Sequence, residues 1–270
     1  MRCIFCKLDS RSSVSAEHIV PESMGGLSHV LPPGIVCDRC NNYFSREVEK
    51  PFLECDAISL LRFHQRVANK RGRVPPAEGV LAPGQFPVTL YRHPKVDSEM
   101  LVVMQPKAAE HVQTATAGRL YVRSDAELPS GAVVSRFLAK VAVEALADRL
   151  VSHPDGLEYL VDEVQLDPIR NHARRGDIRV WPTSVRQIYH PDSKWLDDSD
   201  SARQVVNEYD ILVTENSEWY FILAIFGKEF AINYGGPDID GYKQWLDVHK
   251  NVSPLYFGKN ANDGRIRPSV

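Results

Sequence analysis

All five cysteines of this 270-residue chain fall within its first 55 residues, and four of them form two pairs, Cys3-x-x-Cys6 and Cys37-x-x-Cys40. A two-residue gap lets both sulfurs of a pair face one point in space. Two such pairs supply the four thiolates of a closed tetrahedral zinc site, with zinc–sulfur bonds of about 2.3 Å. The pairs stand farther apart than the roughly 15 to 20 residues of a plain zinc ribbon, so segment 7–36 is an insertion with a task of its own. A redox pair or coincidence would account for one CxxC; two of them around one short segment favour zinc. So short a stretch cannot build a conventional core, and the metal would supply folding energy in its place. Such a site is structural, with no open position for chemistry. Cys55 stands outside the two CxxC pairs and is expected to be buried as a small apolar side chain.

The insertion reads Ala16-Glu17-His18-Ile19-Val20-Pro21, then Gly25-Gly26, and the second pair runs on into Asn41-Asn42. A Glu-His pair alone is usually surface charge. Here it lies inside a zinc frame. Asn41 is bonded to Cys40, which leaves it little freedom and suits a side chain that must hold a second metal in fixed geometry. Gly25-Gly26 is expected to make the tight turn between two strands. Asn42 either caps the following helix, which runs through Phe44 and Val48, or touches the metal indirectly. Capping is favoured, because asparagine is a preferred capping residue. Glu47 and Glu49 are expected to face solvent.

In this order CxxC, Glu-His-Ile-Val-Pro, Gly-Gly and CxxC-Asn-Asn resemble the HNH endonucleases with a ββα-metal fold, in the subgroup whose zinc knuckles bracket the motif. The resemblance covers residues 1–54. It implies that His18 is the general base activating water for attack on a phosphodiester, a task that suits an imidazole with its ordinary pKa near 6.5. It implies that Glu17 and Asn41 hold a catalytic divalent cation, Mg²⁺ or Mn²⁺, leaving positions for water and phosphate. The final motif position is asparagine where many members have histidine, a substitution the family accepts. The family's central asparagine, which orients the loop carrying the base, has no counterpart in His29-Val30-Leu31-Pro32-Pro33-Gly34. His29 or the two prolines are the candidates to replace it. The rival reading is a zinc-dependent DNA-binding module with weakened cleavage; the missing asparagine favours it, and the intact Glu17, His18 and Asn41 oppose it.

A formal net charge of −3 means that contact with phosphates must come from a local patch. The densest basic stretch is Arg62, His64, Arg66, Lys70, Arg71 and Arg73, directly after the motif. Arg62, Arg66 and Lys70 stand four apart and would share one helix face, either against DNA or in solvent. Arg170, His172, Arg174 and Arg175 form a weaker patch. DNA is expected over RNA on the resemblance alone, and a homodimer would let two sites cut both strands. No apolar h-region follows a basic start, and no apolar run approaches the roughly 20 residues of a membrane span. A cytoplasmic protein without a membrane partner is therefore expected.

The fold class expected is α+β: a zinc-stabilised ββα-metal module over 1–54, joined to a larger mixed α/β domain over 55–270. That second domain would serve recognition, regulation or dimerisation. A helical pattern spans Ala57 to Val67, and Phe86–Tyr91 and Met100–Met104 read as strands. Residues 132–150 form the best helix, with Val134, Phe137, Leu138, Val141 and Ala145 inward and Arg136, Lys140, Glu144 and Arg149 outward. Tyr209–Val213, Trp219–Phe226 and Phe230–Asn233 read as an antiparallel meander, and a short helix follows around Tyr242–Val248. The last dozen residues are expected to fray.

Overall fold

The computed structural model describes residues 1–26, 28–96, 99–178, 181–196 and 201–261, so most of the terminal segment expected to fray lies outside the described residues. Packing groups the chain into two units, Met1–Phe52 with Ser130–Val270, and Leu53–Pro129. These units do not follow the division at 54/55 that the cysteines suggest. The motif segment packs with the C-terminal half, and residues 53–129 are inserted in the sequence between them.

The reason lies in the helix Gly131–Leu150, the longest in the chain. Val134, Phe137, Leu138, Val141 and Ala145 are buried as the periodicity requires, but so are Ala139, Ala142, Val143 and Ala147 on its other faces. A helix apolar all round belongs inside a protein rather than on its surface. One side takes the N-terminal segment: Phe52 stacks on Phe137 with ring centroids 3.9 Å apart and meets Phe230 edge-on at 6.0 Å. Truncating an aromatic so enclosed costs about 3–5 kcal/mol. Tyr234 adds a buried bond, its hydroxyl donating to the Ala142 carbonyl at 2.7 Å.

That helix also carries a correction. Lys140 and Glu144, expected on the solvent face, are both fully buried. Arg136 is half-buried, donating to the Tyr43 hydroxyl and to the carbonyls of Ala173 and Arg174. Only Arg149 lies largely in solvent, paired with Asp210. The basic patch at 170–175 dissolves for the same reason. Arg170 and His172 are fully buried, Arg170 bonded to Asp167 and to the carbonyls of Glu163 and Leu160, His172 to the Ser135 hydroxyl at 2.8 Å.

The meander is present and has one strand more than expected. Asn207–Val213, Trp219–Ile225 and Lys228–Asn233 pair antiparallel in sequence order, and Thr183–Gln187 joins beside the last. Phe226 and Gly227 both take positive φ, 47° and 75°, which is the geometry of a two-residue hairpin turn. Tyr220, Ile222 and Ala224 face Tyr242 and Leu246 of the Asp240–Val248 helix.

In the second unit four antiparallel strands run in the order Met100–Met104, Phe86–Arg92, Ala77–Ala82, Arg119–Val122. The helix Asp56–His64 covers one face, Phe63 packing with Ala77, Val88 and Leu90. That helix stops at His64, and Arg66 has φ 55°, so Arg62, Arg66 and Lys70 do not share a helix face. Arg62 is buried, with burial lowering its pKa against the attraction of Glu54. Lys70, Arg71 and Arg73 are exposed on a loop tied by the Asn69 side chain, which accepts from the backbone of Arg71 and Arg73. Cys55, expected to be fully inside, is half-buried at the start of the helix. Among the described residues no helix is long and apolar enough to cross a membrane.

Candidate active site beside a four-cysteine centre

The four sulfurs of Cys3, Cys6, Cys37 and Cys40 all lie within 4.8 Å of one another. Cys6 and Cys37 are 3.7 Å apart at sulfur, close to the tetrahedral edge of about 3.8 Å that follows from zinc–sulfur bonds of about 2.3 Å. The two knuckles are brought together by the backbone, Ile4 N–H donating to the Ile35 carbonyl at 3.0 Å. Cys37 N–H points at Cys3 Sγ and Cys40 N–H at Cys37 Sγ. The Cys3 thiol is drawn down to about 5, chiefly by a hydrogen bond from Cys40, and the same partnership pushes Cys40 up. Burial pushes Cys6 up to about 11. Four thiols this close cannot all ionise by themselves, and a divalent cation among them is what would let them. The donor set fits zinc.

Cys37 also starts the helix Asp38–Phe44, its sulfur accepting from Cys40 N–H. Asn42 therefore sits inside the helix, exposed, and does not cap it. The Asp38 carboxylate accepts from the backbone N–H of Val14 and Ser15, fixing the chain just before Glu17. Asn41 Nδ2 donates to the Ala16 carbonyl at 3.3 Å, which holds the Asn41 side chain against the backbone just before Glu17. Glu17–His18 pairs antiparallel with Val30–Leu31.

Adjacent residues of a strand point to opposite sides. His18 turns to the glycine loop: its Nδ1 lies 2.9 Å from the Gly26 carbonyl oxygen. A carbonyl only accepts, so Nδ1 carries the proton and Nε2 presents its lone pair. Nε2 stands 3.8 Å from Glu22 Oε1, and the ring is a quarter exposed. Gly25 has φ 78° and closes a 3₁₀ turn over Glu22–Met24. A Cβ on Gly26 would fall 1.8 Å from the Val20 carbonyl, so only glycine fits there. The His29 side chain does not stand in for the missing asparagine. It points to Asp148, 3.2 Å away, and against the Tyr209 ring.

Glu17 turns the other way, into the core, where sequence reasoning placed nothing. Its Oε1 accepts from Lys140 Nζ at 2.6 Å, and the same ammonium donates to the His18 carbonyl at 3.3 Å. Glu49 Oε1 and Glu144 Oε2 lie 2.7 and 2.9 Å from it. Glu49 was expected in solvent. A five-residue π-helical stretch, Ser45–Glu49, follows the motif helix, and it ends with Glu49 on Lys140. Burial pushes the Lys140 pKa down, but Glu144, Glu17 and Glu49 together hold it well above the ordinary lysine value. Burial likewise drives Glu144 well above the carboxylate range, against the pull of Lys140. Among the described residues Lys140 is what meets the Glu144 carboxyl, at 2.9 Å.

Three carboxyl groups meet one ammonium, and with Glu144 holding its proton the charges of Glu17 and Glu49 still exceed that of Lys140 by one. Glu17 Oε2 takes no hydrogen bond among the described residues. A carboxylate and an amide oxygen are hard donors that suit Mg²⁺ or Mn²⁺, and the local charge excess favours a divalent cation. The residues present fit such an ion.

Comparison with known proteins bears on this segment alone. Residues 3–55 match the HNH endonuclease family. The matched stretch contains both cysteine pairs, Glu17, His18 and Asn41, and it ends at Cys55. No curated protein and no solved structure matches the chain. The remaining residues, Lys140 included, thus stand on the geometry alone.

Proposed function

We propose that this chain is a divalent-metal-dependent endonuclease that hydrolyses phosphodiester bonds, with DNA as its substrate. The observation that carries the reading is the His18 Nδ1 contact with the Gly26 carbonyl, beside Glu17 and Asn41 in a segment that matches HNH endonucleases. His18 Nε2 takes the proton of the attacking water. Glu17 Oε2 and Asn41 Oδ1 would hold Mg²⁺ or Mn²⁺. Bound there, the ion would supply Lewis acidity to the phosphate and to the departing oxygen. The four cysteines hold a structural zinc and do no chemistry; thiolate–zinc ligation suits a reducing cytoplasm. The exposed Lys70, Arg71 and Arg73 offer cations for the nucleic-acid backbone, with Arg66 beside them in sequence; Arg62, being buried, serves the core.

The test is nicking of supercoiled plasmid by the purified protein with Mg²⁺ or Mn²⁺, beside an EDTA control and a His18→Ala variant that retains its zinc. Nicking should vanish with EDTA and fall about 10²- to 10⁴-fold in the variant, the usual worth of a general base. One observation favours a second reading, a binding module that no longer cleaves: an ammonium already sits 2.6 Å from the Glu17 carboxylate. Intact DNA and RNA with every metal, together with a mobility shift on DNA, would establish that reading instead.

A further inference from the structure

The orientation of His18 is only as good as the position of the carbonyl it leans on. Gly26 belongs to a loop of segment 21–29 that has few tethers of its own. Among the described residues its backbone bonds are Met24 N–H and Gly26 N–H to the Pro21 carbonyl, at 2.7 and 3.3 Å, Gly25 N–H to the Glu22 carbonyl, and Ile19 N–H to the His29 carbonyl at 3.2 Å. No asparagine or glutamine occurs between Glu17 and Val36 to pin it from within, and the His29 side chain is engaged with Asp148.

The tether comes from far along the chain. Asn207 Nδ2 donates to the Met24 carbonyl at 3.1 Å, across 183 positions. Val206, beside it, closes over the next residue: a Cβ on Gly25 would lie 2.4 Å from Val206 Cγ1 and 3.4 Å from Asn207 Nδ2. Both residues are held firmly in turn. Asn207 opens an edge strand of the four-stranded sheet and pairs in register with Ile225, and the Val206 carbonyl accepts from Phe226 N–H at 2.9 Å. A rigid sheet thus grips the loop one residue before Gly25 and two before the carbonyl that fixes the imidazole.

We infer that Asn207 is a positioning residue for His18, completing from the C-terminal half of the chain a motif that the N-terminal segment leaves incomplete. The inference rests on the reading of His18 as the base. Asn207 touches neither substrate nor metal; it acts through Met24, Gly25 and Gly26 on the direction and tautomer of the ring. Residues that orient a reacting group from behind are commonly worth about 10- to 100-fold in rate.

The decisive experiment is a double-mutant cycle on plasmid nicking with Asn207→Ala, His18→Ala and the double variant, each checked for zinc content and melting temperature. Asn207→Ala should slow nicking about 10- to 100-fold while Mn²⁺ binding, read by electron paramagnetic resonance without DNA, stays within about twofold. In the His18→Ala background the same change should cost less than about twofold, because the group it positions is gone. Damage spread through the fold would slow both backgrounds alike, and that outcome overturns the inference. So does an Asn207→Ala enzyme as fast as the wild type beside a crippled His18→Ala, which leaves the base assignment standing. If His18→Ala nicks at the wild-type rate, the base assignment falls and takes the inference with it. Ring ¹⁵N shifts of His18 give a readout that needs no activity: a single Nδ1–H form in the wild type should become a mixture in Asn207→Ala. Unchanged shifts would overturn the inference even in a protein that does not cleave.

Discussion

Lys140 Nζ lies 2.6 Å from Glu17 Oε1, a contact that spans 123 positions of sequence, and the lysine is sealed from water. A lysine has no reason to enter a core unless carboxylates meet it there, and Glu49 and Glu144 complete the arrangement. Removing the ammonium leaves three buried or nearly buried carboxylates without their cation. Lys140→Met should therefore lower stability in urea unfolding by about 3–5 kcal/mol, and Lys140→Met with Glu144→Leu should recover part of that loss. A Lys140→Met protein as stable as the wild type would mean that this cluster adds nothing to the fold.

The zinc centre makes a separate demand. Four sulfurs within 4.8 Å of one another repel as thiolates, even though Ile4, Phe5, Ile35, Val36 and Phe44 beside them are buried. Metal analysis should find one zinc per chain. A strong chelator, or Cys40→Ser, should remove it and lower the melting temperature by on the order of 10 °C or more, since metal binding there is folding energy. A metal-free protein with an unchanged cooperative melt would refute the structural role.

Local spacing made the zinc centre and the motif legible. A CxxC pair and a Glu-His-Ile-Val-Pro run declare their chemistry within a few residues, and the structure does gather Cys3, Cys6, Cys37 and Cys40. Lys140 and Glu144 were not legible, because amphipathic reasoning sends every helix charge outward, and the carboxylates that draw Lys140 inward include two far away in the sequence. Asn207 gave no signal either: one asparagine at the start of a strand is chemically mute until Met24 stands opposite. Thr183–Gln187 is short and polar and becomes a strand only through its register with Lys228–Ile232. The spacing of a regular helix sends Glu49 to solvent, whereas it ends the π-helical stretch Ser45–Glu49 on Lys140.

The basic stretch separates into two kinds of residue with different consequences. Lys70, Arg71 and Arg73 are exposed, whereas Arg62 is buried. Replacing the three exposed cations by alanine should weaken DNA binding and reduce the slope of log K against log salt by about 2 to 3, near 0.9 for each phosphate no longer neutralised. Arg62→Ala should leave that slope alone and lower the melting temperature by roughly a few degrees, because the packing of its stem is removed. An unchanged slope in the triple variant would remove this loop from the DNA-binding surface.

Glu208 gives the fold a measurable pH dependence away from the motif. Its carboxylate accepts from Phe257 N–H at 2.9 Å and Gly258 N–H at 3.2 Å, tying segment 256–259 to the sheet. Burial outweighs those two donors and raises its pKa from 4.5 to about 7. The folded protein thus binds this proton more tightly than the unfolded chain does. The stabilisation this confers is complete below about pH 4.5 and drains away as the pH climbs through about 7. A rise from 4.5 to about 7 is worth on the order of 3 kcal/mol, reduced by the solvent that reaches the half-buried group. Glu208→Gln keeps the shape and cannot ionise, so its urea-unfolding free energy should fall less steeply between about pH 5 and 8 than that of the wild type, the remainder belonging to groups such as Glu144. Parallel curves for the two proteins across that range would show that Glu208 ionises in the folded state as freely as in the unfolded chain.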